Sequence, residues 1–283
     1  MMALPCGLWM TMSQPASPPD ILARIVVHKH HEVAAARRSH PLTQLREQLA
    51  ARTVTGDAPL LRALRRPQLN VIAEVKRRSP SAGSIAAIHD PVALARAYAQ
   101  GGAAAVSVLT DHEFFGGSIQ DLEQVAPAIA PLPALRKDFM VDPYQFYEAA
   151  AAGAGIVLLI AAILEPAQAW EYHQLARSLG LETIFEIHGL EEYEPFDRYD
   201  WPIIGINNRN LRSFSTSLTT TLAVAPRLPT TACIVSESGF ASFDDLAYVR
   251  THVQGYLIGE SLARHSDPAG QLQQWRERWH THP

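Results

Sequence analysis

Val71-Ile72-Ala73-Glu74-Val75-Lys76 opens as a short β-branched run and ends in two ionisable residues. Its first half reads as a strand, because branched side chains pack well on a pleated surface. Side chains of a strand alternate between faces, so Glu74 and Lys76 point the same way. Similar runs follow at Ala105–Leu109, Ala134-Leu135, Ile156–Ile160, Thr183–Phe185, Ile203–Ile206, Ile234-Val235 and Tyr256–Ile258. Amphipathic stretches lie between them, among them Pro91–Gln100, Tyr144–Ala152, Pro166–Leu179 and Phe243–Arg250. Strand-like runs alternating with helix-like ones argue for parallel βαβ units. Eight of them without an intervening Pro/Ser/Gly linker predict an α/β fold, a closed (β/α)8 TIM barrel with extra N-terminal helices. A doubly wound open sheet is the alternative.

Ahead of the first run, Ser17-Pro18-Pro19-Asp20 reads as a helix start, with a Ser cap and Pro in the first turn. Ile21, Leu22, Ile25, Val26 and Val33 follow at helical spacing until Arg37, Arg38 and Pro41 close the segment. A second helix is expected over about residues 43 to 51, then a polar turn around Gly56 and Pro59. These pieces form a helical extension at about 17–66 of a single barrel domain spanning 17–283. Residues 1–16 read as an unstructured or mis-set N-terminal extension, with Met12 as the expected first residue. They lack the positive flank of a signal peptide.

The chain has 283 residues, 47% hydrophobic and 18% charged, enough for one large α/β domain. A net charge of −4 with both signs interspersed offers no basic run for nucleic acid. No apolar run approaches the roughly 20 residues of a membrane span. Cys6 and Cys233 fit no disulfide or metal framework, which points to a reducing compartment.

The functional signal is where charge falls. Strand three ends Leu135-Arg136-Lys137-Asp138, strand five Phe185-Glu186-Ile187-His188, strand six Gly205-Ile206-Asn207-Asn208-Arg209 and strand seven Ser236-Glu237-Ser238-Gly239. A buried Lys or Glu is costly unless paired. Glu74, Lys76, Lys137, Glu186 and Glu237 converging on one barrel mouth therefore read as a site, at the face where this architecture holds its chemistry. Turns at Ser238-Gly239 and Gly259-Glu260-Ser261 follow the last two strands, where backbone N–H groups suit a phosphate. Phe114-Phe115 offers an aromatic surface, and one of the two is expected to stack on a substrate ring. His28, His30 and His31 lack a carboxylate or Cys frame and read as a solvated helix face. His188 reads as a packing or rim residue, and the polar loop from Arg77 to Asp90 as a candidate lid.

Ile72–Ser81, Leu135-Arg136-Lys137-Asp138-Phe139, Gly205–Leu211, Val235–Gly239 and Gly259-Glu260-Ser261-Leu262 resemble the ordered signatures of the indole-3-glycerol phosphate synthase family. The resemblance runs from about residue 20 to 275, with Gly189 a small departure where relatives often carry an acid. It implies ring closure, decarboxylation and dehydration of 1-(2-carboxyphenylamino)-1-deoxyribulose 5-phosphate, a step of tryptophan biosynthesis. Lys137 then resembles the general acid of ring closure and Glu186 the base of the final dehydration. Lys76 resembles the lysine that holds the substrate carboxylate, with Glu74 beside it. Asn207, Arg209 and Glu237 match pocket positions, and Ser79, Ser238, Gly239, Gly259 and Ser261 match positions that hold substrate, chiefly its phosphate. The resemblance further implies a cytoplasmic monomer without cofactor or metal, acting on a small phosphorylated molecule, with neither nucleic-acid nor membrane partner. Association with other tryptophan-pathway enzymes is left open.

A lysine among like and opposite charges is expected to stay charged yet readily deprotonated, as suits a general acid. A phosphoribosylanthranilate isomerase would, by resemblance, want Cys at the end of strand one. A Schiff-base aldolase would want Lys on strand six. Neither is present. A phosphate-binding scaffold without catalysis would have little use for both lysines and all three glutamates.

Overall fold

The computed structural model describes residues 21–50, 56–79, 83–84, 88–210 and 214–281. The cap at Ser17 and the extension at 1–16 lie outside them. Among the described residues, eight parallel strands close a barrel: β1 Val71–Val75, β2 Ala105–Leu109, β3 Ala134–Lys137, β4 Ile156–Ile160, β5 Glu182–Ile187, β6 Ile203–Asn207, β7 Cys233–Glu237 and β8 Gly255–Ile258. Closure is made by β1, which pairs with β2 on one side (Ile72 opposite Ala105) and with β8 on the other (Val71 opposite Tyr256).

Period-two alternation sorts the side chains. Ile72, Leu135, Ile156, Leu158, Ile160, Ile184, Ile203 and Val235 pack together inside the barrel, whereas Val71, Ala73, Val75, Val106, Val108, Phe185 and Ile187 pack outward against the helices. The inward set therefore continues at the carboxyl ends into Glu74, Lys137, Glu186, Asn207 and Glu237. That parity puts the charged residues over the barrel axis.

Twelve α-helical segments are described. In chain order they are α1 Ile21–Ser39, α2 Leu42–Ala50, α3 Pro59–Leu64, α4 Pro91–Gln100, α5 Ile119–Ala128, α6 Tyr144–Ala151, α7 Pro166–Ser178, α8 Leu190–Tyr193, α9 Thr219–Val224, α10 Phe243–Val249, α11 Glu260–Ala263 and α12 Pro268–Thr281. Asp90 caps α4 by accepting from Ala93 N, and Ser118 caps α5 by accepting from Asp121 N.

The turn expected around Gly56 and Pro59 is corrected. Pro59 opens α3, where its missing N–H costs nothing and its fixed φ suits the first helical turn. Leu60 and Leu64 of this helix are buried in the barrel-interior cluster and plug the end opposite the charged mouth. The Glu182 carboxylate accepts from Leu60 N and Leu61 N, both at 2.8 Å, and so satisfies amides that the helix itself leaves unpaired.

Candidate active site

Lys137, at the end of β3, is the centre of the charged layer. Its Nζ lies 2.8 Å from Glu186 Oε2 and 3.5 Å from Glu237 Oε2. Lys76, one residue beyond β1, lies 2.5 Å from Glu74. Burial alone would drive Lys137 toward the neutral amine, but Glu186, then Glu237 and Glu74, outweigh it and its pKa is raised. The expectation of a readily deprotonated Lys137 is thus corrected. Glu186, at 2.8 Å, contributes the largest pull against burial, and the lysine is held in its charged form.

The two facing carboxylates are pushed apart. Burial opposes ionisation of Glu186, but the charges of Lys137 and His188 hold its pKa below the usual carboxylate range. Burial raises Glu237 first, and the charge of Glu186 beside it adds to the shift against the pull of Lys137. A pair of acids driven in opposite directions gives one proton acceptor and one proton holder. Gly205 makes the arrangement possible, since a Cβ there would come within 2.2 Å of Glu237 Oε1.

Beside this layer, Asn207 Oδ1 accepts from Ser238 Oγ and Arg209 N, both at 3.0 Å. Asn208 points the other way, and the sequence reading gave it no role. Its Nδ2 donates to Ser236 Oγ, Glu237 O and Ser238 O, and its Oδ1 accepts from Thr221 Oγ1 at 2.9 Å. It ties β7 to α9 and so fixes the turn that follows Glu237. In that turn Ser238 and Gly239 take positive φ, 67° and 94°. The left-handed conformation is cheap for the glycine and aims local backbone toward the mouth.

Two adjoining cavities open here, with Glu74, Lys76, Arg209 and Ser238 lining both. The first also takes in Lys137, Glu186, Asn207 and Glu237, and its far wall is apolar: Ile21, Leu22 and Ile25 of α1 with Phe115 and Phe139. The second is lined by Gly239, Gly259, Ser261 and Arg264. The Ser261 hydroxyl donates to Phe240 O at 2.7 Å. Of the aromatic pair, Phe115 lines the cavity with its ring 6.0 Å from Phe139, whereas Phe114 packs edge-on against His28. Phe139 and the α1 residues were not anticipated as pocket walls. An apolar side chain at helical spacing reads as core, and only the docking of α1 over the mouth shows otherwise.

Ser79 belongs by its backbone to a two-stranded ribbon, pairing with Gly83. The contact expected of its side chain, and residues 80–82 and 85–87 of the candidate lid, lie outside the described residues. Arg77, at the root of that loop, is held by Asp121 at 2.5 Å.

A buried lysine escaped the sequence reading. Lys29 of α1 is fully buried, with Nζ 2.8 Å from Asp138, 2.9 Å from Asp111 and 3.0 Å from Glu32. It joins α1 to the residue after Lys137 and to the loop that carries Phe115. His188 sits one layer out from the charged centre. Its Nε2 is 3.8 Å from Glu186 Oε1, and its Nδ1 is 3.0 Å from Glu192. His30 and His31 are exposed, and no described group of three or more His, Cys, Asp or Glu side chains is arranged to hold a metal. No helix among the described residues is long and apolar enough to cross a membrane.

Comparison with known proteins agrees with this geometry. The family described as indole-3-glycerol phosphate synthase matches residues 22–275. A protein of that name from Bordetella pertussis is 44% identical over 256 residues, covering 89% of this chain and 97% of the relative. Its namesake from Albidiferax ferrireducens is 45% identical over 252 residues, covering 88% and 95%. Among solved structures, 3-hexulose-6-phosphate synthase from Salmonella typhimurium superposes with a TM-score of 0.62 at 10% identity, over 76% of this chain and 100% of its own. Thiamine phosphate pyrophosphorylase from Pyrococcus furiosus does so with a TM-score of 0.57 at 15% identity, over 77% and 98%. Those two likenesses concern the barrel alone. The sequence match, spanning nearly the whole length of its relatives, is what decides that this chain belongs to the indole-3-glycerol phosphate synthase family.

Proposed function

We propose that this chain converts 1-(2-carboxyphenylamino)-1-deoxyribulose 5-phosphate to indole-3-glycerol phosphate, carbon dioxide and water. One observation carries the reading. A charged lysine held by two carboxylates lines an apolar, aromatic-walled cavity that adjoins a glycine- and arginine-lined one. A molecule with an aryl ring at one end and a phosphate at the other spans such a pair.

In this reading the aryl ring lies against Phe115, Phe139 and Ile25, and the phosphate against Gly239, Gly259, Ser261 and Arg264. Lys76 meets the aryl carboxylate and Arg209 adds positive charge between the two ends. Holding the ring carbon against the ketone supplies much of the acceleration, since the step is then effectively unimolecular. Lys137 gives its proton to the ketone oxygen as the new bond forms. The developing alkoxide is far more basic than the carboxylates that face the lysine, so the proton passes to it as the bond forms. Glu186, held ionised, takes the proton lost from carbon in the last step. Asn207 and Ser238 fix the rim between them.

In this reading the working unit is one chain, since α1 and the barrel build the first cavity and the barrel alone the second, all from a single polypeptide. The test is direct. Incubation with the substrate in the presence of a chelator should produce indole fluorescence at the same rate as without it. Binding of substrate without turnover would instead favour the scaffold reading.

A further inference from the structure

The proposed reaction takes up one proton from solvent in each turnover, and this inference rests on that reading. As the ring closes, the ketone oxygen takes one proton and becomes a hydroxyl. The carboxylate then leaves as carbon dioxide, its bonding pair returning to the ring. The hydroxyl takes a second proton and leaves as water, and one proton comes back from carbon to a base. Two protons go in and one returns, so each turnover consumes one.

That proton must reach a centre whose carboxylates are sealed. Glu186 and Glu237 are buried, and a bound substrate fills the cavity in front of them. Behind Glu186 lies a different route. Its Oε2 is committed to Lys137 at 2.8 Å, while its Oε1 faces His188 Nε2 at 3.8 Å. That ring nitrogen is buried and makes no hydrogen bond, although the other one is held by Glu192 at 3.0 Å. Glu192 also accepts from His188 N at 2.8 Å, and its side chain is partly exposed. The chain Glu192–His188–Glu186–Lys137 therefore leads from solvent to the proposed acid without passing through the substrate cavity.

We propose that His188, oriented by Glu192, relays to Glu186 the proton that each turnover takes from solvent. A packing role alone does not account for a buried ring nitrogen left unpaired and aimed at a carboxylate. The charged groups that face the ring are Glu186 from β5, Glu192 from α8 and Lys137 from β3. Burial opposes protonation of the ring and Lys137 adds to that opposition. The hydrogen bond to Glu192 and the two carboxylates outweigh both, so its pKa is raised above the ordinary imidazole value. Transfer needs the 3.8 Å gap to close by a small rotation, as catalytic contacts commonly do when substrate binds.

The experiment compares His188→Gln with the wild-type protein, following indole fluorescence in dilute buffer through the first turnover and into the steady state. Glutamine keeps a hydrogen bond to Glu192 but cannot carry a proton. The first turnover, which draws on protons already held at Lys137 and Glu237, should keep its rate. The steady-state rate should fall about tenfold and recover on adding imidazole. Glu192→Gln, which leaves the histidine in place, should show the same pattern more weakly. A first turnover and steady state that fall together without response to imidazole would overturn the relay, leaving His188 a prop for Glu186. Wild-type rates in both phases would overturn it too. Absence of fluorescence from the wild-type protein would instead fail the reaction itself.

Discussion

Lys29 and Lys137 are two lysines set among carboxylates, and they differ in what surrounds the pairs. Lys29 has no exposed side-chain surface and three carboxylate contacts of 3.0 Å or less. Its partner Asp138 is saturated as well: one oxygen takes Lys29 and Phe139 N, the other Thr110 Oγ1 and Arg136 Nη2. Lys137 has 14% of its side chain exposed, one close carboxylate, and a second at 3.5 Å. Full pairing is what makes a buried charge tolerable. Where pairing is complete the charges are locked, and the cluster is architecture. Where it is incomplete beside a cavity, protons can still move. That difference separates the site from the scaffold more sharply than any residue type does.

The largest effect is expected at the mouth. Glu186→Gln removes the proposed base while keeping its shape, and turnover should drop by about 10³ with the thermal midpoint little changed. A variant that keeps more than a tenth of the activity would dissolve the contrast. On the other side, Asp138→Asn leaves Lys29 and Arg136 short of a charge and should cost about 3–5 kcal/mol of stability in urea unfolding at neutral pH. Lys29 and Arg136 hold the Asp138 pKa down to about 2, against the desolvation that would raise it. Its contribution is thus present above the unfolded pKa of roughly 3.9 and lost as pH falls toward 2. The gap between variant and wild type should close over that acidic range.

Glu237 has the opposite sign. Burial, with Glu186 facing it, pushes its pKa up to about 8, so the folded chain binds this proton more tightly than the unfolded one. Stability should therefore fall as pH rises from roughly 4.3 toward 8. Glu237→Gln should flatten that slope and raise the thermal midpoint at pH 9 relative to wild type. An unchanged slope would mean that the mouth carries no such cost. The smallest effect concerns the apolar wall. Phe115→Ala should raise KM about tenfold, in line with losing one aromatic contact, and leave kcat near its original value. A matching fall in kcat would place the ring in the chemistry instead.

Much of the barrel is legible because its signals are local. Most of the eight strands declare themselves as β-branched runs, Ala134–Lys137 being the exception, and their parity carries Glu74, Lys137, Glu186 and Glu237 to one end. Elements with mixed signals are harder. Pro59 serves a turn and a helix start equally well, so α3 hides behind it. Helix α5 carries Pro127 within its last turn, which blurs its pattern. The sealed cluster is not legible at all. Lys29 and Glu32 stand three apart on a helix, a spacing that ordinarily marks a solvated face, and nothing local links them to Asp111 or Asp138. The raised pKa of Lys137, by contrast, was open to reasoning, since strand parity already sets Glu186 and Glu74 at the same mouth, where they favour the charged form. His188 lay in between: its place on the face of Glu186 was readable, but the grip of Glu192 was not.

The division of labour between the two lysines is tested most directly by measuring kcat and the unfolding midpoint together on Lys137→Ala and Lys29→Met. The first variant should lose about 10³ in kcat and keep its midpoint. The second should lose several degrees or more of midpoint, while its folded fraction still turns substrate over. Lys29→Met matching Lys137→Ala in lost turnover while keeping its midpoint would contradict the account.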